Sequence, residues 1–312
     1  MIFGQFNKVG RTSFQFLKIG VGARQAAMGE ANIASITDAN AIFWNAAATA
    51  PIEGSEAGFN YTSWIADLKV LSGAAAVNLS GIGTVTLSFV TLDYGDIDEA
   101  TVQSSTGGVD TRTGATFSGS DMLVGFGFSR FFTDKLSIGV NVKYLTEKLY
   151  KYTSSVWAFD VGSYYDTGFK GIKIGMSAQN FSGSARWLNT SSAEQQSHEL
   201  PLQFRIGLSV DVLGGQDLFL GGDPMQHRLT VNADAIHSND YSEKLHLGAE
   251  YTFMNLFSLR GGYKFNEEEE GNISLGAGVQ QNVSGMDLRV DYAYVVYDYL
   301  ESPHRFSVMI RF

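Results

Sequence analysis

Leu202-Gln203-Phe204-Arg205-Ile206-Gly207-Leu208-Ser209-Val210-Asp211-Val212 is the stretch that decides how this chain folds. Apolar side chains hold every second position, and the residues between them are polar or glycine. A period of two belongs to a β-strand with one greasy face and one wet face, because successive side chains leave opposite sides of the pleat. Strands of soluble sandwiches run to about 5 or 6 residues, whereas a tilted strand needs roughly 9 to 11 to cross a bilayer. The length of this run therefore points to a membrane.

The same pattern recurs in Leu136, Ile138, Val140, Val142 and Tyr144, set against Ser137, Gly139, Asn141 and Lys143. It appears again in Leu288, Val290, Tyr292 and Tyr294, set against Asp287, Arg289, Asp291 and Ala293. Fourteen such segments begin near residues 56, 69, 84, 120, 135, 155, 171, 201, 227, 245, 256, 271, 286 and 304, each about 9 to 13 residues long. The fold class expected is all-β, a transmembrane antiparallel barrel of about fourteen strands. Composition agrees. The 312 residues include 35 Gly, 22 Phe and 14 Tyr but only 4 Pro, and 17% are charged. That is fewer charges than the roughly 25% of soluble domains. The mean hydropathy of −0.03 is nonetheless far from that of a helical membrane protein. A barrel reconciles the two, since only alternate strand residues meet lipid. No run approaches the roughly 20 apolar residues of a spanning helix.

The lengths of the links alternate. Short ones at 80–83, 132–135, 166–170, 254–255 and 282–285 follow even-numbered strands, while the long ones at 93–119, 180–200 and 294–303 follow odd-numbered strands. The acidic block Glu267 to Glu270 falls on the long side and reads as a solvated turn, and Gly214 to Gln226 is a longish exception on the short side. Outer-membrane barrels keep short turns in the periplasm and long loops outside, so an even strand count predicts both termini in the periplasm. The last strand, His304 to Phe312, ends on an aromatic residue in the outward phase. It resembles the terminal signal read by the bacterial barrel-assembly machinery, which makes Phe312 the expected assembly signal.

Residues 1–54 break the alternation. They are rich in Ala and small residues, with turn signals at Gly20, Gly22 and Gly29 and a helix-like stretch around Asp38 to Trp44. Such a segment has too little apolar surface to fold alone and is expected to plug the lumen of a barrel formed by residues 55–312. The start, Met1-Ile2-Phe3-Gly4-Gln5, lacks the basic segment and apolar run of a signal peptide and is read as mature sequence.

A net charge of −10 without a clustered basic face argues against nucleic acid as a partner, and the absence of Cys excludes disulfides and thiolate metal sites. The five His show no metal-type pairing, and there is no Gly-x-Ser-x-Gly elbow, so no catalytic residue, metal or cofactor is expected. Asp160, Asp211, Asp234, Asp287, Asp291, Arg205, Arg228, Arg260, Arg289 and Lys173 lie on the wet phase of their strands. They should pair across the lumen, because an unpaired buried charge is costly, with a conductive or substrate-selective channel as the alternative. The pairs Gly125 and Gly127, Gly261 and Gly262, and Gly276 and Gly278 lie inside strands, where they make room for the plug or for curvature and do not cradle a phosphate. Trp64, Trp157, Trp187, Tyr144, Tyr165, Tyr251, Tyr263 and Tyr297 lie near strand ends or in the adjoining loops and suit an aromatic girdle in outer-membrane lipid or lipopolysaccharide. Trp187, Tyr297 and Tyr299 sit in or beside long loops, where contact with a partner is the alternative to anchoring.

Thr12-Ser13-Phe14-Gln15-Phe16-Leu17-Lys18-Ile19-Gly20-Val21-Gly22-Ala23-Arg24, then Ala27-Met28-Gly29 and Phe43-Trp44-Asn45-Ala46-Ala47, resemble the opening of the PorV/PorQ family of FadL-like barrels. Further matches include Ser63 to Asp67, Leu92 to Gly95, Glu199 to Leu202, Leu247 to Tyr251 and Arg260 to Lys264, so the resemblance spans nearly the whole chain. It implies a plug motif carried by Phe16, Gly20, Gly22, Arg24, Gly29 and Asn45. Ala46 stands where the superfamily has proline, which leaves φ less fixed at that turn. For function, the resemblance implies docking on the large translocon barrel of a type IX secretion system, with capture of cargo C-terminal domains by the outer loops and delivery to a surface sortase. Uptake of small apolar molecules and structural support of a larger complex are the rival expectations.

Overall fold

The computed structural model describes residues 10–100, 112–188, 197–215, 217–265 and 271–312. Seven strands run from β1 (Ser55–Ser63) and β2 (Lys69–Leu79) through β3 (Gly83–Ala100), β4 (Arg112–Phe131), β5 (Leu136–Leu149) and β6 (Tyr152–Asp166) to β7 (Ile172–Ser182). Two short strands, β8 (Ala185–Leu188) and β9 (Ser197–His198), form a ribbon in the next link. The wall resumes with β10 (Gln203–Leu213), β11 (His227–Ser238), β12 (Lys244–Phe253), β13 (Phe257–Phe265), β14 (Ile273–Val283), β15 (Met286–Val296) and β16 (His304–Arg311). Each wall strand pairs antiparallel with its neighbours. β7 joins β10, and β1 joins β16 with Phe59 opposite Val308, so fourteen strands close into a barrel.

Alternation assigns the faces as the sequence implies. Phe204, Ile206 and Leu208 are exposed on the outside while Arg205 and Ser209 are buried inside, and Ile138 and Val140 face out where Ser137 and Asn141 face in. Such an apolar exterior is tolerable only against lipid or another apolar surface.

The long-link side differs from expectation. Most of 93–119 is ladder, because β3 and β4 continue well past the rim, and β5 and β6 meet with only 150–151 between them. Beyond the belt, antiparallel pairing still satisfies the backbone, but nothing demands apolar outward residues, so the alternation that marks a strand is lost. Glu267 to Glu270 lies outside the described residues.

Residues 14–52 fill the lumen with short helical turns: η1 (Gln15–Lys18), α1 (Ala23–Ala27), η2 (Ala39–Phe43) and η3 (Ala46–Thr49). Nearly all of their Ala and Ile side chains are buried. Asp38 caps η2 by accepting from the Asn40 N–H at 3.0 Å. Asn45 caps η3 by accepting from the Ala47 N–H at 3.1 Å, which holds the turn that Ala46 would leave loose. These turns touch the wall where inward positions are glycine. A Cβ at Gly139 would strike the backbone of Ala46 and Ala47, one at Gly175 that of Ile33, one at Gly248 that of Met28, and one at Gly262 that of Met28 and Gly29. The same reason holds at Gly127, against Ile42, and Gly276, against Ala27, whereas Gly125 and Gly278 are crowded by wall side chains and a Cβ at Gly261 would meet Leu275 only at an ordinary contact distance of 3.8 Å.

The first described residues do not lie at the same end as Phe312. The Phe312 N–H meets the Ser55 carbonyl at the short-turn end, while Thr12 bridges Glu199 at the long-link end. The strand count fixes where the barrel begins and ends, but residues 10–52 cross the lumen before β1 starts, which the count does not register. Met1 itself lies outside the described residues.

If the glycines seat the plug, Gly262→Ala should destabilise the barrel by about 1–3 kcal/mol through overpacking, and Gly261→Ala by no more than about 0.5 kcal/mol. Denaturant unfolding in detergent, read by tryptophan fluorescence, checks both.

Candidate functional site

The contact between plug and wall is the most elaborate polar feature of the molecule. At its centre six charged side chains close a ring. Arg24 of α1 meets Glu250 of β12 at 2.7 Å, Glu250 meets Arg260 of β13 at 2.5 Å, and Arg260 meets Asp291 of β15 at 2.8 Å. Asp291 meets Arg289 at 2.9 Å, Arg289 meets Asp38 of the plug at 2.6 Å, and Asp38 returns to Arg24 at 3.7 Å. Signs alternate around the ring and cancel. The expected wet-phase charges therefore pair along the wall and into the plug, not across an open lumen. Neighbouring strands bring inward residues within reach, while the plug occupies the space an across-lumen pair would need. Lys173 with Asp211 at 2.8 Å, and Lys143 with Asp160 at 2.7 Å, follow the same rule.

Wall side chains also satisfy plug backbone groups. Asp234 accepts from the N–H groups of Asn32 at 2.7 Å and Ile33 at 3.0 Å, Glu56 from Ala39 at 3.0 Å, and Ser307 from Ala23 at 2.7 Å. Ser274 accepts from Gly29 at 2.9 Å and Gln179 donates to the Phe43 carbonyl at 2.9 Å. A segment without regular secondary structure carries many orphan N–H groups, and these contacts replace the hydrogen bonds that a helix or sheet would have supplied.

Above the plug, residues 12–19 run as a strap under the long-link rim. The Ser13 N–H donates to the Glu199 carbonyl at 3.0 Å and the Phe14 N–H to the Glu147 carboxylate at 3.1 Å. Asp240 accepts from Thr12 at 2.8 Å and from Lys18, which also lies over the Tyr241 ring at 4.2 Å. Burial pushes the Asp240 carboxyl up, but the hydrogen bonds from Lys18, Ser238 and Thr12 outweigh this and hold it below its ordinary range. Beneath the strap is a recess of about 50 Å³ with an apolar wall of Phe16, Val90 and Leu123 and a polar wall of Lys143, Asp160 and Arg205. On the other side of the plug a polar vestibule of about 390 Å³ opens at the short-turn end, between residues such as Lys173, Arg228 and Asn255.

The plug-motif residues fall at distinct positions in this assembly. Phe16 is buried in the recess wall, and Gly20 lies where a side chain would strike Glu30 and Trp44. Gly22 (φ 94) precedes α1, Gly29 (φ 62) lies on the wall backbone, Arg24 is in the charge ring, and Asn45 bonds the carbonyls of Ile33 at 3.2 Å and Ser163 at 2.9 Å. Among the loop residues, Trp187 lies on β8 with its backbone opposite Ser154, and Tyr299 is 91% exposed. Tyr297 packs edge-on against Trp64 at 6.2 Å. Trp64 thus leaves the expected girdle, because its link folds inward and sets the indole beside Arg305 at 5.3 Å. Trp157 stays outside, 5.0 Å from Tyr144. The sequence does not single out Glu56, Glu147, Glu250 or Asp240, and it marks Asp38 only as the start of a helix-like stretch, not as a charge partner. Each looks like an isolated acid in the chain, because its plug or strap partner lies on an irregular segment or far away in sequence, and only the β12–β13 pairing brings Glu250 to Arg260. No group of three or more His, Cys, Asp or Glu among the described residues could hold a metal.

Arg24→Met strands part of the ring and should cost about 3–5 kcal/mol, while Arg24→Met with Glu250→Gln, which removes the opposing charge, should recover part of that loss in equilibrium unfolding. The strap's share of stability should be present above the ordinary carboxylate pKa and lost as pH falls through the depressed value of Asp240. Hydrogen exchange at Ser13 and Phe14, corrected for the intrinsic rate, should accelerate in acid and already be fast at neutral pH in Asp240→Asn.

No family model and no curated protein sequence matches the chain. Solved structures do. The toluene transporter TodX of Pseudomonas putida superposes with a TM-score of 0.60 at 12% identity over 93% of this chain and 97% of that one. A FadL homologue of Pseudomonas aeruginosa gives 0.56 at 11% over 93% and 97%, and the monoaromatic hydrocarbon channel CymD gives 0.55 at 12% over 94% and 96%. The chain has the fold of the FadL-like fourteen-stranded barrels.

Proposed function

We propose that this protein is an outer-membrane barrel that works through its outer face, holding a protein partner on its long links while its lumen stays closed. The reading that fits the resemblance to the PorV/PorQ family is a docking and cargo-handling subunit of a type IX secretion system. The observation that carries it is the closure of the lumen. The strand ladder is continuous around the wall, and the plug is fixed by a neutral ring of buried charges and by wall groups on several sides. In this orientation the long links are extracellular and the short turns periplasmic. The projecting β3–β4 hairpin, the β8–β9 ribbon and the link at 297–303 with exposed Tyr299 form the surface offered to a partner.

Uptake of a small apolar molecule is the second reading. The apolar wall of Phe16, Val90 and Leu123 and the fold shared with a toluene transporter and a monoaromatic hydrocarbon channel favour it. Size counts against a preformed site. A cavity of roughly 150 Å³ is known to take benzene, and the recess is about 50 Å³. Uptake would require the strap to move.

Affinity purification of tagged protein from native outer membranes in mild detergent is expected to recover a giant translocon barrel, or secreted proteins that share a C-terminal domain. Shortening the β3–β4 hairpin and the link at 297–303 should abolish that recovery. Undiminished association would sink the docking reading, and a barrel recovered alone with a bound apolar molecule would favour uptake.

A further inference from the structure

The short-turn end bears a strip of aromatic and cationic side chains that neither the plug nor the lumen uses. Phe132, in the turn after β4, is 74% exposed, and Phe169, in the turn after β6, is 63% exposed. Phe219 and Leu220, in the link after β10, are 57% and 56% exposed. Two lysines tie these three links together. Lys135 Nζ reaches across to donate to the Thr167 carbonyl at 2.9 Å, and Lys170 Nζ stands over the Phe219 ring at 5.7 Å. Large apolar groups thus alternate with ammonium groups along one arc of the mouth: Phe132, Lys135, Phe169, Lys170, Phe219. Of the acids in the three links, Asp166 accepts from the Gly168 N–H and Asp223 from the Met225 N–H, each at 2.9 Å, while Asp134 and Asp217 are exposed.

The arc is continuous with the apolar belt. Phe132 keeps the outward phase of β4 set by Met122, Val124 and Phe126, and exposed Ile138 and Tyr165 stand on the strands that leave and enter these turns. Rings in water would lie at an energetic disadvantage, and one lysine on a turn carbonyl with another over a ring matches the headgroup layer, where apolar stems meet phosphate. We infer that this arc is a binding site for anionic phospholipid headgroups of the leaflet that meets the short-turn end, with Lys135 and Lys170 on the phosphates and the three Phe rings in the acyl boundary. This rests on the membrane-spanning reading.

The test exploits the absence of Cys from the chain. Phe132→Cys is labelled with bimane and the barrel placed in nanodiscs of phosphatidylcholine, with or without phosphatidylglycerol. Belt variant Val140→Cys, quenched by mid-chain nitroxide lipid, reports separately that the barrel spans the bilayer. With that control positive, the site requires bimane at 132 to be quenched by headgroup nitroxide lipid and shielded from iodide. Native mass spectrometry should show phosphatidylglycerol retained over phosphatidylcholine, a preference that falls on the order of tenfold in Lys135→Gln/Lys170→Gln. Iodide access at 132 without lipid quenching overturns the inference, as does equal retention of the two lipids by the parent barrel. A negative belt control overturns the membrane reading instead.

Discussion

The buried ring of Arg24, Glu250, Arg260, Asp291, Arg289 and Asp38 is the interaction on which the rest of the structure depends. A barrel of this size must fill its lumen, and its inner wall is polar because the outer wall is spent on lipid. Charges enclosed there are tolerable only when opposite signs meet at hydrogen-bond distance, since an orphan charge in a low-dielectric interior costs several kcal/mol. Two of the six come from the plug, so the wall is electrostatically complete only with the plug in place. The plug, conversely, has no regular hydrogen-bond ladder of its own and takes its partners from the wall.

Steric fit follows from this electrostatic need. For Arg24 and Asp38 to reach the wall carboxylates and guanidiniums, the plug backbone must lie directly on the strands, and it does so over inward glycines at Gly139, Gly175, Gly248 and Gly262. The result divides the interior into a small recess below the strap and a polar vestibule at the other end. A lumen so divided keeps these two spaces, one on either side of the plug.

How far the fold and the site were legible depends on the length scale of each signal. The phase of Phe204, Ile206 and Leu208 against Arg205 and Ser209 is local, and lipid outside with polar residues inside enforces it where a strand crosses the belt, so the number of strands and their belt segments could be read from the chain. The extension of β3 and β4 above the rim was not legible, because solvent on both faces imposes no pattern. Within the site, Gly22, Gly29, Arg24 and Asn45 were visible as a motif, but Glu250 and Asp38 look like any other acid until the barrel closes and brings them to Arg24.

The sequence by itself determined the architecture: an all-β barrel of fourteen strands, its face assignment, and a leading segment that breaks the alternation. Alternation is a property of consecutive residues and survives without knowledge of neighbours. Only the tertiary structure decided that wet-phase charges pair along the wall and into the plug, that Trp64 turns inward to Arg305 and Tyr297, and that the chain's early residues reach the end of the barrel opposite Phe312. Each of these is set by which distant segments share the confined lumen, and that is fixed only when β1 meets β16 and the ring of strands closes.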